Sequence, residues 1–434
     1  MKFYSTNNKN CLVSFREALF KGIADDGGLF MPREIPQLPA SFWRNVHHLS
    51  FHRIATEIAY PFLSEDISRE EMEVLVANAF QFEAPLVPLN DTLSILELFH
   101  GPTLAFKDFG AQFMARLVAF FNRKDKQELT ILVATSGDTG SAVAHGFYHQ
   151  PGTQVILLYP SGMVSEIQEK QLTTLDGNIT ALEVKGNFDD CQRLVKTAFL
   201  DHEVKKYRNL SSANSINIAR LLPQSFYYIA AYAQLKKRKA PLFISVPSGN
   251  LGNLTAGLLA KEMGLPVSRF IAALNVNKFL FEYLNSGNQQ PLPVIPTLSN
   301  AMDVGNPSNF ARILALYQND QRKINQIIYG RSYSDNSTRQ AIREIYSKYG
   351  YIMDPHGAVG YLALKEYLAE ENITDFQGMI LETAHPAKFS AAVKEELQIE
   401  IEMPQSLKDA FSKEKNAIII SNKFRDFKNF LLNI

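Results

Sequence analysis

Leu242-Phe243-Ile244-Ser245-Val246-Pro247-Ser248-Gly249-Asn250-Leu251-Gly252-Asn253 runs from a short apolar stretch into a loop of glycines and small polar residues. The amphipathic segment that follows reads as a helix. A strand that ends in such a loop and opens a helix is the repeating unit of an α/β sheet, and ligands of such sheets collect at the strands' carboxyl ends. Working outward, comparable apolar runs occur at Ile131–Ala134, Val155–Tyr159, Ile179–Val184, Phe270–Leu274 and Gly378–Leu381, alternating with helical stretches from residue 93 onward. Near-continuous apolar runs of this length fit a parallel sheet covered by helices on both faces. The predicted fold class is therefore α/β.

Upstream, the pattern from about Val13 to Glu83 is helical, punctuated by Asp25-Asp26-Gly27-Gly28 and by prolines from Pro32 to Pro39. Residues 1–92 are expected to form a small, mainly helical N-terminal domain, with the proline-bearing FEAPLVPLND leading out of it. Residues 93–434 are expected to form the α/β body.

The chain has 434 residues, with 44 Lys+Arg against 44 Asp+Glu. A balanced charge creates no global field that would draw it to nucleic acid or an anionic membrane. The opening MKFYSTNNKNCL is polar, and no later stretch reaches the ~20 apolar residues needed to span a bilayer. The expectation is a cytoplasmic protein acting on a small molecule, as a monomer or homodimer. Cys11 and Cys191 are too few for a disulfide framework or a four-cysteine metal site.

Chemistry concentrates in three loops. Thr135-Ser136-Gly137-Asp138-Thr139-Gly140 follows a predicted strand, and its small residues let several backbone N–H groups converge on a carboxylate or phosphate. Gly249 to Asn253 form a second anion loop, because glycines allow close backbone approach and the following helix presents its positive end. It lacks both the GK[ST] ending of a P-loop and the GxGxxG dinucleotide spacing, so a cofactor's phosphate monoester fits it best. The third element is FHGPTLAFKDFG, residues 99–110. Lys107 falls at the first turn of a predicted helix between Phe106 and Phe109, where the dipole and desolvation both disfavour an ammonium. That is the environment of a Schiff-base lysine. A lysine nucleophile, a phosphate nest and a second anion loop on one sheet system point to pyridoxal phosphate.

In these motifs the chain resembles the threonine synthase family of fold type II (tryptophan synthase β-like) pyridoxal-phosphate enzymes. The resemblance covers most of the chain, and VSFREALFKGIADDGGLFMP looks like the longer microbial and fungal class. It implies two open parallel-sheet α/β subdomains around the cofactor. It also implies conversion of O-phospho-L-homoserine and water to L-threonine and phosphate. By the same resemblance Lys107 holds the cofactor, and Gly249, Asn250, Leu251, Gly252 and Asn253 cradle its phosphate. Asp138 lies near its 3′-oxygen, where many relatives carry Asn, and Thr383 of TAHPAKF faces its pyridine nitrogen. A hydroxyl there cannot keep that nitrogen protonated as a carboxylate would. Ser136 and Thr139 would hold the substrate's anionic groups, and Asn214, Ser215 and Arg220 its phosphate, for which a guanidinium fork is suited. Two departures from the family pattern are Lys278 in NVNKF, where an acidic residue is usual, and Leu251 for a common Phe.

Other polar residues carry blander readings. His145 and His149 stand four apart without the glutamate of HExxH, and are expected to be helix-surface or packing residues. His47, His48 and His52 lack the spacing of a zinc site, and no metal is expected. Lys236-Lys237-Arg238-Lys239 is expected to end a helix facing solvent, while His356 and His385 belong to segments shared with the family. Two alternatives remain: a sister lyase such as a serine/threonine dehydratase or sulfhydrylase-like enzyme, which needs no second phosphate site, and a non-catalytic threonine-synthase-like binding protein.

Overall fold

The computed structural model describes residues 1–125 and 128–434. The chain opens with β1 (Phe3–Ser5), β2 (Asn8–Val13) and β3 (Phe30–Pro32), an antiparallel sheet in the order β2-β1-β3. The region is mainly helical, as read, and this small sheet is an addition to that reading: β1 and β3 are three residues each and the six-residue β2, NKNCLV, is largely exposed, so none shows an apolar alternation. The helices around it are Phe15–Lys21, Ala40–Asn45, Phe51–Leu63 and Arg69–Ala79. Three of them start at a serine, Ser14, Ser50 and Ser68, whose hydroxyl accepts an otherwise unpaired backbone N–H of the first turn. Glu17 and Glu71 complete capping boxes with Ser14 and Ser68, pairs that fix where each helix begins.

The remaining strands are β4 (Leu86–Pro88), β5 (Leu93–Glu97), β6 (Leu129–Ala134), β7 (Thr153–Pro160), β8 (Ile179–Lys185), β9 (Asn209–Ser212), β10 (Leu242–Pro247), β11 (Val267–Leu274), β12 (Ile328–Ser332), β13 (Gln377–Glu382) and β14 (Ile418–Ser421). They form two further sheets: a six-stranded one ordered β12-β11-β10-β13-β5-β4 and a five-stranded one ordered β14-β8-β7-β6-β9. Every pairing in these two sheets is parallel except the β4–β5 hairpin, which straddles position 92. The central strands β6, β10 and β13 are buried at every position, as helices on both faces require. All six apolar runs read from the sequence are strands. The five missed in these sheets (β4, β5, β9, β12 and β14) include the polar β9, NLSS, and the sheet-edge strands β4, β12 and β14. Among the described residues no helix is long and apolar enough to cross a membrane.

The chain passes from the first of these sheets to the second through helix Lys107–Asp125. That helix is wedged by aromatic rings from the N-terminal region. Phe80 packs against Phe109 and Phe113 at centroid distances of 5.8 and 6.0 Å, and Phe82 meets Phe109 at 4.9 Å. Tyr227 and Phe226 close the other side, 5.1 Å from Phe109 and 5.5 Å from Phe113. Fully burying one such ring contributes about 1.5–3 kcal/mol, so the N-terminal region and the α/β body share one core.

Candidate active site

The informative loops all leave the carboxyl ends of parallel strands. Lys107 is reached after β5, Thr135–Gly140 after β6, Ala213–Asn217 after β9, Ser248–Asn253 after β10, and Thr383–Lys388 after β13. Hydrogen bonds tie these loops to one another within each sheet, and Asn250 to Ser215 joins the two sheets. Phe106 N–H donates to Thr383 O at 2.9 Å, which holds the residue before Lys107 against the end of β13. Asn250 Nδ2 donates to Ser215 Oγ at 2.6 Å, and Asn214 Nδ2 to Ala134 O at 3.2 Å.

Lys107 is the first residue of its helix, with its side chain 18% exposed and its Nζ 3.4 Å from Asp138 Oδ2. Burial lowers the affinity of this amine for a proton; Asp138 opposes that, while Lys388 and Arg220 reinforce it. The direction is that expected of a nucleophilic lysine.

Asp138 is the first residue of helix Asp138–Phe147, behind Gly137, whose φ of 143° is open to glycine. The loop is organised by Thr135, whose Oγ1 accepts from Gly137 N at 3.0 Å and Gly140 N at 2.9 Å. Burial alone would raise the Asp138 carboxyl, but the ammonium groups of Lys388 and Lys107 outweigh it and hold the group well below the usual carboxylate range. Lys388 Nζ lies 2.7 Å from Asp138 Oδ1, and Gln168 Nε2 donates to the same oxygen at 3.2 Å. Ser136 is exposed and Thr139 partly so, on the outer side of this loop.

The loop before helix Gly252–Glu262 is shaped for close approach. A Cβ on Gly249 would stand 2.7 Å from Met302 Cα and 2.8 Å from Ala301 O. Leu251 caps the helix in the left-handed region at φ 59°, although its side chain is buried. Asn250 is braced on both faces: its Oδ1 accepts from Ser308 N at 2.6 Å, and its backbone oxygen accepts from Asn309 Nδ2 at 3.0 Å. Asn253 Oδ1 accepts from both Tyr227 and Tyr228 hydroxyls, at 2.6 and 2.7 Å, leaving its Nδ2 buried without a partner.

Arg220 is placed differently from a freely projecting phosphate clamp. It is 3% exposed, and its guanidinium donates to Ala213 O and, at 3.3 Å, to Lys107 O. Its Nε is a buried donor without a partner, and burial pushes the group down to about 10. Behind the same loop Arg312, fully buried, donates to Ser215 O, Ile216 O, Asn309 Oδ1 and Phe30 O. Two buried guanidiniums with no carboxylate among their bonded partners thus lie behind residues 213–216. Such uncompensated charge favours an anion at the loop.

Asp108, beside Lys107, accepts from Thr103 Oγ1 at 2.6 Å and Thr103 N at 2.9 Å. On the far side, Asp354 accepts from Ala384 N at 3.2 Å and meets His356 Nδ1 at 2.6 Å, which anchors the segment after Thr383. Sequence reading passed over Lys388, Arg312, Gln168 and Asp354. Lys388 lies within the TAHPAKF segment that drew notice, whereas Arg312 stands in NFARIL, which carries no motif. His52 spends a ring nitrogen on Phe80 O at 2.6 Å, and Lys278 pairs with Glu282 on its own helix at 2.9 Å.

These features meet what pyridoxal phosphate requires: a desolvated lysine amine, a glycine loop at a helix start, and buried polar groups still lacking partners. The family model for pyridoxal-phosphate dependent enzymes matches residues 82–375, flanked by models for the threonine synthase N terminus at 2–80 and C terminus at 357–431. Threonine synthase of Buchnera aphidicola (subsp. Acyrthosiphon pisum) is 42% identical over 434 residues, covering 100% of both chains.

The chain belongs to the threonine synthase family.

The crystal structure of Escherichia coli threonine synthase superposes with a TM-score of 0.92 at 42% identity over 100% of both chains. A pyridoxal-phosphate-bound threonine synthase from Brucella melitensis gives 0.92 at 34% identity, over 100% of this chain and 99% of that one. Membership of the threonine synthase family makes the chain a pyridoxal-phosphate-dependent lyase, and it disfavours both alternatives weighed from sequence.

Proposed function

We propose that the protein converts O-phospho-L-homoserine and water to L-threonine and phosphate, with Lys107 as the covalent anchor of the cofactor and the proton carrier. The observation that carries this is Lys107 itself: a desolvated amine 3.4 Å from Asp138, placed where strand-end loops of both sheets meet. Bound pyridoxal phosphate supplies an electron sink for the carbon that bears the substrate's amine.

Backbone N–H groups of Gly249 to Asn253 and the start of the following helix would hold the cofactor's phosphate, with Thr383 at its ring nitrogen and Asp138 near its 3′-oxygen. Once displaced by the substrate's amino group, the Lys107 amine would be free to take the Cα proton, and only after handing that proton on could it act as a base again, for the proton lost at Cβ. The γ-phosphate departs, water adds at Cβ, and proton return to the substrate carbons completes threonine. This role needs a neutral amine, which burial and the neighbouring Lys388 and Arg220 favour. Asn214, Ser215 and Arg220 would receive the substrate's phosphate, supported by the buried, uncompensated charge of Arg220 and Arg312. Ser136 and Thr139 are open to the substrate's carboxylate.

The test compares wild type with Lys107→Ala, following the visible absorbance of the lysine-bound cofactor together with phosphate and amino-acid products. Wild type should show the band and release phosphate and threonine in step, while the variant loses the band and at least ~10³-fold of the rate. A band without phosphate release would move the protein to a dehydratase-like reaction. No band after adding pyridoxal phosphate would remove the cofactor role of Lys107.

A further inference from the structure

Lys388 is an expensive residue to place where it is. Its side chain is 0% exposed, and an ammonium group is withdrawn from water at a cost of several kcal/mol unless closely compensated. Compensation comes from two acceptors: Asp138 Oδ1 at 2.7 Å and the backbone oxygen of Thr103 at 2.9 Å. Thr103 is also the residue that donates twice to Asp108 and accepts from Gln171 Nε2 at 3.2 Å. Lys388 therefore reaches from the end of β13 into the middle of the site and ties the β6 loop to the segment leading to Lys107. Asp138, for its part, divides its oxygens: Oδ1 is taken by Lys388 and Gln168, and Oδ2 faces Lys107 at the longer distance of 3.4 Å.

We infer that Lys388 is a positioning residue that neutralises and orients Asp138, so that the Lys107 amine faces a closed ion pair rather than a lone carboxylate. The inference rests on the assignment of Lys107 as the reactive amine. Its physical content is simple. An isolated carboxylate 3.4 Å from Lys107 would attract a proton to that amine and lock it as an unreactive ammonium. Lys388 cancels that field while leaving Asp138 ionised and able to accept a hydrogen bond. The other charged or titratable groups facing this cluster are Asp108 on the Lys107 helix, Arg220 on helix Ile218–Leu221, His145 on the Asp138 helix and His385, three residues before Lys388. None of these bonds to Asp138 among the described contacts, whereas Lys388 holds its Oδ1, the oxygen turned away from Lys107.

The experiment uses the full-length chain freed of cofactor. Labelling of Lys107 by an amine-reactive reagent is followed against pH by peptide mass spectrometry for wild type, Lys388→Met, Lys388→Arg and the double variant Lys388→Met/Asp138→Asn. The labelling midpoint should rise by about one pH unit or more in Lys388→Met. It should stay near wild type in Lys388→Arg and return towards wild type in the double variant. A midpoint unchanged in Lys388→Met overturns the inference. If that variant does not fold, the double variant decides: it carries neither charge, and a midpoint displaced from wild type by a full unit or more overturns the inference. The visible band of the cofactor-loaded wild type is recorded in parallel. Its absence would count against Lys107 as the anchor, whereas a normal band with an unmoved Lys388→Met midpoint would count only against the role of Lys388.

Discussion

Asp108 and Asp138 lie one helix apart, are both buried, and titrate in opposite directions. Burial pushes Asp108 up to about 6, its nearest donors being the neutral hydroxyl and amide of Thr103. Asp138 feels the same burial, yet two ammonium groups hold it ionised. Charged neighbours, more than burial, thus decide which acid of this site keeps its proton. His145 shows the same physics with a cation. Burial, with Lys388 and Lys413 nearby, depresses its imidazole from 6.5 to about 4. The folded chain therefore refuses a proton that the unfolded chain binds below ~6.5, and stability is complete above that pH and drains away as the pH falls towards 4. Between pH 7 and pH 5 the loss attributable to this residue is about 2 kcal/mol. Urea unfolding at both pH values should show that loss in wild type and a smaller one in His145→Gln; equal losses would refute a buried neutral imidazole.

Among elements, the loop joining β10 to helix Gly252–Glu262 is the most tightly specified. Gly249 is irreplaceable for a stated reason: the atoms a Cβ would meet, Met302 Cα and Ala301 O, are backbone and cannot rotate aside. Gly249→Ala should therefore shift the loop, at a cost of about 1–3 kcal/mol, and weaken pyridoxal-phosphate binding by roughly tenfold or more. Titrating the cofactor's visible band would measure this, and unchanged affinity would mean that the loop is not the phosphate cradle. Leu251 carries a strained left-handed backbone but repays it with a buried side chain, so an apolar residue is retained there. The Lys107 helix draws its position from the aromatic wedge of Phe80, Phe82, Phe109 and Tyr227.

On the scale of the whole molecule, Arg312 is the brace between regions far apart in sequence. Its guanidinium joins Phe30 O of the N-terminal sheet to Ser215 O and Ile216 O of the β9 loop and to Asn309. Each buried carbonyl left without a donor costs about 1–3 kcal/mol, so Arg312→Leu should lower unfolding free energy by at least about 3 kcal/mol. Denaturant titration followed by circular dichroism would test this. A variant as stable as wild type would show that the N-terminal region is held by its apolar contacts alone. The shared core and this brace mean that the N-terminal region supports the catalytic body directly, even though it carries none of the site residues.

The α/β class, the six principal strands, the helix that starts at Lys107 and the glycine-rich turn before helix Gly252–Glu262 were legible in the sequence because each is a local pattern. An apolar run buried on both faces, or a glycine-rich turn into a helix, is written in consecutive residues. The cofactor and the family were legible for the same reason, since several such patterns follow in order. What only the tertiary structure decided is how charges are compensated and which distant segments meet. The pairing of Lys388 with Asp138, the bracing of residues 215 and 216 by Arg312, the pairing of β1 with β3 and the aromatic seat of the Lys107 helix join residues tens to hundreds of positions apart. Their energies depend on desolvation and on distances of a few ångströms, quantities that exist only once the two sheets have come together.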